Sequence, residues 1–311
     1  MTLRRALHVL AFALPLTVAV SLSLAATRHS SILPGPQWLK PVSIRDVSEL
    51  ERLFDDLHYD WPLSSNYRVP RLLLRSIPGD LSDDVSVAEH KANFLRILLP
   101  VILAENRQIR QQRAWLQDCL QKGVASLDAN TKKQLEQLAR SYKVEADDLN
   151  NRDVQRRLLQ RVDEVPVALA LAQAANESGW GTSRFVRQAN NLFGHWTFRR
   201  DKGLVPLDRD QGKTHRVRVF PSLRLSVRAY LHNLNTSRAY KRLRKLRAIL
   251  RENNQPLDGD RLAAGLLYYS ERGQAYVNEI RTLIRINHLD HFETLRLREG
   301  TWRLASFWNH Q

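Results

Sequence analysis

The chain has 311 residues, and its 48 Lys and Arg against 32 Asp and Glu give a formal net charge of +16 at pH 7. With 43% hydrophobic and 26% charged residues, the composition is typical of a globular protein and excludes a wholly disordered chain. Cys119 is the single cysteine, which excludes an intramolecular disulfide and a zinc site built on several thiolates. The length predicts one or two domains.

The first 26 residues have the features of a secretory signal peptide. Arg4 and Arg5 precede an uncharged apolar segment, Leu7 to Leu24, and small residues permit cleavage after Ala25 or Ala26. We therefore expect a periplasmic or cell-envelope protein; an uncleaved inner-membrane anchor and a buried cytosolic helix are the alternatives. An exported protein of this charge is attracted to anionic envelope surfaces, and export argues against nucleic acid as a partner.

Helical patterns dominate the chain after a predicted linker at 27–45. In the predicted N-terminal helical region, 46–160, apolar residues recur at helical spacing from Phe94 to Ile102, and Pro100 is expected to kink or end that helix. Asp128 is the predicted N-cap of a further helix. The region has no cluster of residues with catalytic chemistry, so we interpret it as a structural subdomain.

The pattern changes in the predicted catalytic domain, 161–290. Asp163 is a predicted N-cap, and an Ala-rich helix then runs to Gly179, a residue type that favours a helix end. Val217 and Val219 alternate with arginines, which predicts a short half-buried strand in a small hairpin. Further helices are predicted at 223–234, 239–250, 262–269 and 276–286, followed by a C-terminal tail at 291–311.

Glu177 lies in or beside the last turn of the Ala-rich helix. The negative end of the helix dipole and apolar neighbours would both raise the pKa of its carboxyl group. A raised pKa suits a general acid that protonates a glycosidic oxygen near neutral pH. Spacing alone leaves open the alternative that Glu177 is solvated at a helix end.

Two motifs around Glu177 favour the functional interpretation. The segment 176–181 is Asn-Glu-Ser-Gly-Trp-Gly, and 190–194 is Asn-Asn-Leu-Phe-Gly. At this spacing, the pair resembles the signature of family 73 glycoside hydrolases. The resemblance covers about 160–286 strongly and about 90–110 more weakly. It implies a lysozyme-like fold and peptidoglycan N-acetylglucosaminidase activity.

The same resemblance implies roles for the acid and for nearby aromatic residues. Glu177 matches the catalytic acid of the family. Tyr269 and Tyr276 resemble a two-tyrosine motif that lines the cleft, with Tyr269 the first choice for the substrate-facing residue and Tyr276 the second. Trp180 and Trp196 lie near the acid in sequence and suit stacking against sugar rings.

Polar residues complete the expected site. Asn190 and Asn191 resemble residues that shape the cleft floor, by bonding either backbone or sugar. Two-carboxylate hydrolysis needs a partner about 5 to 9.5 Å from the acid, and in the segment 203–220 only Asp208 and Asp210 are available. The alternatives are catalysis by the 2-acetamido group of the substrate, a single-acid enzyme, or an inactive protein.

A basic run from Lys241 to Arg251 is interpreted as a solvated helix face, with a groove for an anionic polymer as the alternative. His195 and His215 lack the spacing of metal ligands and are expected at the surface. No metal or cofactor is expected, since the sequence has no motif for either.

The sequence thus predicts a mainly α protein of lysozyme-like α+β class that cleaves the β-1,4 bond after N-acetylglucosamine in peptidoglycan glycan strands. A lytic transglycosylase with the same acid is one alternative, and a non-catalytic cell-wall-binding or scaffold protein is another. The sequence does not define the oligomeric state.

Overall fold

A computed structural model describes residues 41–145, 148–198, 203–205 and 216–299. This part of the chain is mainly helical with two small sheets, which confirms the predicted fold class. The predicted signal segment, most of the predicted linker and the end of the predicted tail lie outside the described residues. Within the described ranges, no helix has both the length and the apolar character that a membrane crossing requires.

The elements of the described chain follow one another in a simple order. The α-helices are α1 (Val47–Asp56), α2 (Val87–Lys122), α3 (Ala129–Ser141), α4 (Arg152–Arg161), α5 (Val167–Ser178), α6 (Arg184–Ala189), α7 (Leu223–Thr236), α8 (Lys241–Glu252), α9 (Gly259–Ala263) and α10 (Gln274–Ile286). The strands are β1 (Arg68–Val69), β2 (Trp196–Thr197), β3 (Gly203–Leu204), β4 (Arg216–Arg218) and β5 (Arg296–Leu297). Strands β1 and β5 form a parallel pair that joins the two ends of the described chain.

Two hydrophobic cores support the fold, and α2 contributes to both. The larger core joins α1 and the N-terminal half of α2 to α5, α7 and α10. The smaller core joins Leu116 and Cys119 of α2 to apolar residues of α3 and α4. The cores therefore do not follow the predicted boundary near residue 160, because 47–109 packs with the predicted catalytic domain.

Helix α2 continues through Pro100, so of the two expected effects of this proline, a kink or an end of the helix, the end is wrong. Residues 97–106 are all buried around it. An interior proline costs a helix about 3 kcal/mol or more, and burial of a Leu or Ile side chain contributes about 1.5 to 3 kcal/mol. Packing on every side of the helix offsets the local cost.

The N-terminus of α5 is capped by Glu293, not by Asp163 as predicted. The N–H groups of Val167 and Ala168 donate to the two carboxylate oxygens of Glu293 at 2.9 and 3.1 Å. Asp163 lies four residues before the first helical residue, outside the reach of an N-cap. The segment that contains Glu293 was predicted to be a tail, yet it fixes the start of the central helix.

Asp163 is instead held by buried arginines. Arg251 donates to Asp163 at 2.9 Å, and the Nε atom of Arg247 lies 3.7 Å from the same carboxylate. Burial disfavours the charged form, but these arginines and Arg113 hold the pKa of Asp163 below its ordinary value. Asp163 and these arginines therefore form an ionic network that connects α8 to the start of the predicted catalytic domain.

The basic run on α8 divides into two sets. Arg244 and Arg247 are buried and donate to backbone carbonyls, including those of Leu234 and Glu164. For them the predicted solvated face is wrong, because the guanidinium groups satisfy carbonyls that would otherwise be buried unpaired. The interpretation is confirmed for the exposed residues Lys241, Arg242 and Lys245.

The predicted hairpin is a three-stranded antiparallel sheet with β4 in the centre, in the order β2, β4, β3. Trp196 and Leu204 flank Val217 in register. Val217 is buried as predicted, whereas Val219 is 39% exposed. Its predicted burial is wrong because β4 ends at Arg218 and the alternation ends with it.

Candidate active site

Glu177 lies in the last turn of α5, as predicted. The helix is buried along almost its whole length and ends where Gly179 adopts a left-handed conformation with φ of 56°. Gly179 donates its N–H to the carbonyl of Ala175. The carboxyl group is therefore carried on a rigid element at the negative end of a helix dipole.

A chain of hydrogen bonds within the core ends at Glu177. The Tyr230 hydroxyl donates to Gln173 Oε1 at 2.6 Å, and Gln173 Nε2 donates to the Tyr276 hydroxyl at 2.9 Å. Tyr276 then donates to Glu177 Oε1 at 2.7 Å. The Tyr276 hydroxyl oxygen accepts a hydrogen bond from Gln173. Its own proton therefore points towards the carboxyl group of Glu177.

Burial raises the pKa of Glu177 above its ordinary value. Hydrogen bonds from Tyr276 and Asn176 act against that shift, because they stabilise the carboxylate. The nearby charge of Glu279 raises the pKa further, and that of Arg272 lowers it. The net result is a carboxyl group that retains its proton to higher pH than a solvated glutamate.

The two predicted tyrosines have different positions. Tyr276 is buried and contacts Glu177, so it is a positioning residue for the acid. Tyr269 is partly buried, stacks on Tyr276 with ring centroids 5.2 Å apart, and donates to the carbonyl of Phe193. Tyr269 is thus the more accessible of the pair, while the direct contact with the acid belongs to the second choice.

The turn after Glu177 is unusual because three successive residues have positive φ. Gly179, Trp180 and Gly181 have φ of 56°, 57° and 87°. For tryptophan this conformation is strained and needs support from its surroundings. Gly181 donates its N–H to the Ser178 hydroxyl at 2.9 Å, which anchors the turn to the end of α5.

The start of α2 provides the support for this turn. His90 donates to the carbonyl of Trp180 at 2.8 Å, and Lys91 Nζ lies 4.8 Å from the centroid of the Trp180 ring. Phe94 meets the same ring edge to face at 5.6 Å. Trp180, predicted as a sugar-stacking residue, therefore packs against α2 and stays half-buried.

The side-chain amides of Asn190 and Asn191 both make hydrogen bonds to backbone groups. Asn191 is buried, accepts from the N–H of His195 and donates to the carbonyls of His195 and Arg218. Asn190 caps α6 in a left-handed conformation and donates to the carbonyl of Phe220. These hydrogen bonds to backbone groups join the small sheet to α6.

His195 and Trp196, which follow the asparagine pair in the chain, differ in the exposure of their side chains. Trp196, on β2, is 42% exposed and is the accessible one of the two predicted tryptophans. Both ring nitrogens of His195 are buried, so its predicted surface position is wrong. Its ring packs against Phe193 and Phe220, and burial lowers the pKa of His195 to about 4.

Some predicted site residues lie outside the described part of the chain, and two residues that connect to Glu177 through hydrogen bonds were not singled out from the sequence. Asp208 and Asp210, the candidates for a second carboxylate, lie outside the described residues, as does His215. Gln173 was not singled out, although a buried glutamine one turn before an acid, in an otherwise Ala-rich helix, is the signal that marks it. No comparable signal marks Tyr230 in the sequence, since an aromatic residue on the apolar face of a predicted helix is expected to be part of the hydrophobic core.

A mainly helical fold that presents a partly buried carboxyl group of raised pKa beside a hydroxyl donor is compatible with the general acid of a glycoside hydrolase. The sequence model of the Glucosaminidase family, described as mannosyl-glycoprotein endo-beta-N-acetylglucosaminidase, matches residues 155–289. Protein bax from Escherichia coli (strain K12) is 34% identical over 212 residues, which are 68% of this chain and 74% of that protein. No solved structure matches the chain.

The chain therefore belongs to the glucosaminidase family, glycoside hydrolase family 73, and within it resembles the bacterial Bax protein. Membership makes it a glycoside hydrolase that acts on peptidoglycan.

Proposed function

We propose that this chain is an exported N-acetylglucosaminidase that cleaves the β-1,4 bond after N-acetylglucosamine in peptidoglycan, with Glu177 as general acid. The observation that carries the proposal is the 2.7 Å hydrogen bond from Tyr276 to a carboxyl group on the end of a buried helix. Burial keeps the proton on Glu177 before the reaction, and Tyr276 stabilises the carboxylate that remains after the proton is transferred.

A lytic transglycosylase is the second candidate enzyme, because it would use the same acid. The difference lies in the attacking group, which is water in a hydrolase and a hydroxyl of the sugar itself in a transglycosylase. A non-catalytic wall-binding protein is less well supported, since a binder has no need of a partly buried carboxyl group with a raised pKa and an ordered donor.

Export is part of the proposal and rests on residues 1–26 alone. We expect the mature N-terminus at Ala26 or Thr27, or else a protein tethered by residues 7–24. Sequencing the N-terminus of protein from the cell envelope checks this. A full-length product in the cytosolic fraction would contradict it.

The catalytic assignment is tested with Glu177→Gln on purified peptidoglycan sacculi. The substitution is nearly isosteric and removes the transferable proton, so turnover should fall by about 10² to 10⁴-fold. Glu252→Gln is the matched control, because Glu252 is an exposed glutamate at the C-terminal end of α8. Folding is checked by circular dichroism. Turnover of Glu177→Gln within about threefold of the wild type would overturn the assignment.

A further inference from the structure

A small polar pocket lies where strands β1 and β5 join the two ends of the described chain. Its volume is about 140 Å³, and none of the six described residues that line it is acidic. These residues are Ser65, Asn66, Tyr67, Arg68, Thr294 and Arg296. A volume of this order accommodates a group of about six non-hydrogen atoms. We call this site the arginine pocket.

The two arginines of the pocket stand side by side on neighbouring strands. Arg68 of β1 is paired in register with Arg296 of β5. The next residue of each strand, Val69 or Leu297, is buried, so the pleat turns both arginines to the outer face. Neighbouring strands lie about 4.8 Å apart, and two positive charges in register repel each other unless an anion lies between them.

Hydrogen bonds to backbone carbonyls hold the walls of the pocket in place. Arg296 NH1 donates to the carbonyls of Glu293 and Leu295 at 3.0 and 2.8 Å. Within the described chain these bonds use one of the three guanidinium nitrogens, so the other two can face a ligand. The Thr294 hydroxyl donates to the carbonyl of Ser65 at 3.4 Å, which joins the two sides of the pocket.

The remaining polar groups of the lining also favour an anion. Asn66 Oδ1 accepts from the Ser64 hydroxyl at 3.0 Å, which leaves the amide nitrogen of Asn66 as a donor. Of the acidic residues near Arg296 in the chain, Glu293 caps α5, and Glu299 is not part of the lining. Fixed donors and two uncompensated positive charges are the features of a site for a carboxylate or phosphate group.

The pocket is separate from the candidate active site. Thr294 follows Glu293, whose carboxylate accepts from Val167 at the first turn of α5. Val167 and Glu177 are ten positions apart in this helix, which is about 15 Å along its axis. A ligand in the arginine pocket is therefore bound beyond the opposite end of α5 from the acid.

We propose that the arginine pocket binds a carboxylate group of the peptide stems of peptidoglycan. The family acts on peptidoglycan, whose peptide stems carry carboxylates and branch from the glycan strands. A guanidinium group matches a carboxylate with two parallel N–H···O bonds. The inference rests on this substrate class and goes beyond the proposed function, because no bond is cleaved here. The pocket holds the wall while Glu177 acts on a glycan strand.

The test titrates the purified protein with the free stem tripeptide L-Ala-γ-D-Glu-meso-diaminopimelate, which contains no glycosidic bond. NMR follows the side-chain N–H signals of Arg68 and Arg296, which should shift as the peptide binds. In Arg68→Gln/Arg296→Gln the affinity for the peptide should fall about tenfold or more, because charge-assisted hydrogen bonds are lost. The same peptide with its carboxylates amidated should not shift these signals.

Arg152→Gln/Arg157→Gln is the matched control, because both arginines are exposed on α4 and the change in net charge is the same. It should bind the tripeptide as the wild type does. Circular dichroism checks the folding of each variant. If the double variant of the pocket does not fold, Arg68→Gln alone decides: it removes one of the two repelling charges, so it should unfold at no lower temperature and still bind the peptide more weakly.

Three results would overturn the proposal. They are equal affinity of the folded pocket variant and the wild type, equal losses in the pocket variant and the α4 variant, or signals that shift with inorganic phosphate or phosphatidylglycerol vesicles and not with the tripeptide. Since the peptide contains no glycosidic bond, each of these leaves the role of Glu177 untouched. Wild-type protein that binds the tripeptide but releases nothing from sacculi would instead overturn the proposed function.

Discussion

The hydrogen bond from Tyr276 to Glu177 limits how far burial raises the pKa of this carboxyl group. Removing it in Tyr276→Phe takes away a contact that favours the carboxylate, so the pKa of Glu177 should rise further. Activity that requires protonated Glu177 should then persist to higher pH, so the basic limb of the pH profile should move to higher pH. Maximal turnover should fall about tenfold, because the carboxylate left after proton transfer loses its donor. The pH profile of kcat/KM measures both effects.

Tyr269→Phe is the control for this prediction. It removes a hydroxyl that donates to the carbonyl of Phe193 and leaves the contact with Glu177 in place. Its basic limb should stay where the wild type has it. A basic limb that moves equally in both variants, or in neither, would contradict the role assigned to Tyr276.

At the scale of single residues the sequence singled out Glu177 and Tyr276, but not the hydrogen bonds that connect them. Glu177 was identifiable because a helix end and a motif coincide in the chain. The hydrogen-bond series that reaches it was not identifiable, since Gln173, Tyr230 and Tyr276 meet only after three helices have packed. Asn191 shows the same limit: the residue was found, but its bonds to the backbone of the sheet were one of two alternatives.

Among the elements, the left-handed turn after α5 depends on Gly181. A Cβ atom at this position would lie 2.9 Å from Ile77 Cδ1 and 3.1 Å from Phe94 Cδ2, at a φ of 87°. We expect Gly181→Ala to destabilise the fold by about 1 to 3 kcal/mol and to lower turnover by displacing the turn beside Glu177. Urea unfolding and sacculus digestion measure the two effects.

Gly194→Ala is the matched control for Gly181→Ala. Gly194 also has positive φ, 66°, but a Cβ atom at this position would have no other heavy atom within 4 Å beyond its chain neighbours. Its cost should be limited to backbone strain of about 1 kcal/mol. Equal losses in the two variants would show that conformation alone, without contact to Ile77 and Phe94, determines the effect.

The cap of α5 gives stability a pH dependence. Burial raises the pKa of Glu293 to about 7 in the folded state, above its ordinary value of 4.5. A raised folded pKa contributes stability that is present in full below pH 4.5 and is lost as pH rises through 7. The wild type should therefore lose stability relative to Glu293→Gln between these values, by at most about 1.4 kcal/mol per pH unit.

Urea unfolding of both proteins at pH 5 and pH 7.5 measures this difference. The comparison concerns the change with pH, since glutamine also lacks one of the two acceptors at the cap. Identical pH slopes for the two proteins would show that Glu293 titrates in the folded state as it does in the unfolded chain.

Helix ends and caps were predictable where neighbouring residues alone determine them. The predictions failed where tertiary contacts compete with these local preferences. Asp128 caps α3 as expected, because its cap is made within the next three residues. Pro100 does not end its helix and Asp163 does not cap one, since burial around α2 and the arginines of α8 outweigh local preference. The cap supplied by Glu293 comes from 126 residues away, a distance at which sequence patterns carry no signal.

In the whole molecule, α2 is shared by the two cores, so the family-matched segment is not expected to fold alone. A fragment of 155–299 would lack α1 and α2 and expose the apolar surfaces of α5 and α7 that α2 covers. It should give no cooperative unfolding transition and no turnover. Circular dichroism of the fragment beside that of 41–299 measures this. A fragment that unfolds cooperatively and digests sacculi would show that the N-terminal region is dispensable.

The central claim is that Glu177 drives hydrolysis after N-acetylglucosamine, and product analysis tests it most directly. Sacculi are digested with wild-type protein and with Glu177→Gln, and the released glycans are analysed by mass spectrometry before and after borohydride reduction. We predict reducible N-acetylglucosamine ends from the wild type and about 10² to 10⁴-fold fewer from the variant. Products that end in N-acetylmuramic acid or its anhydro form, or equal release by both proteins, would contradict the claim.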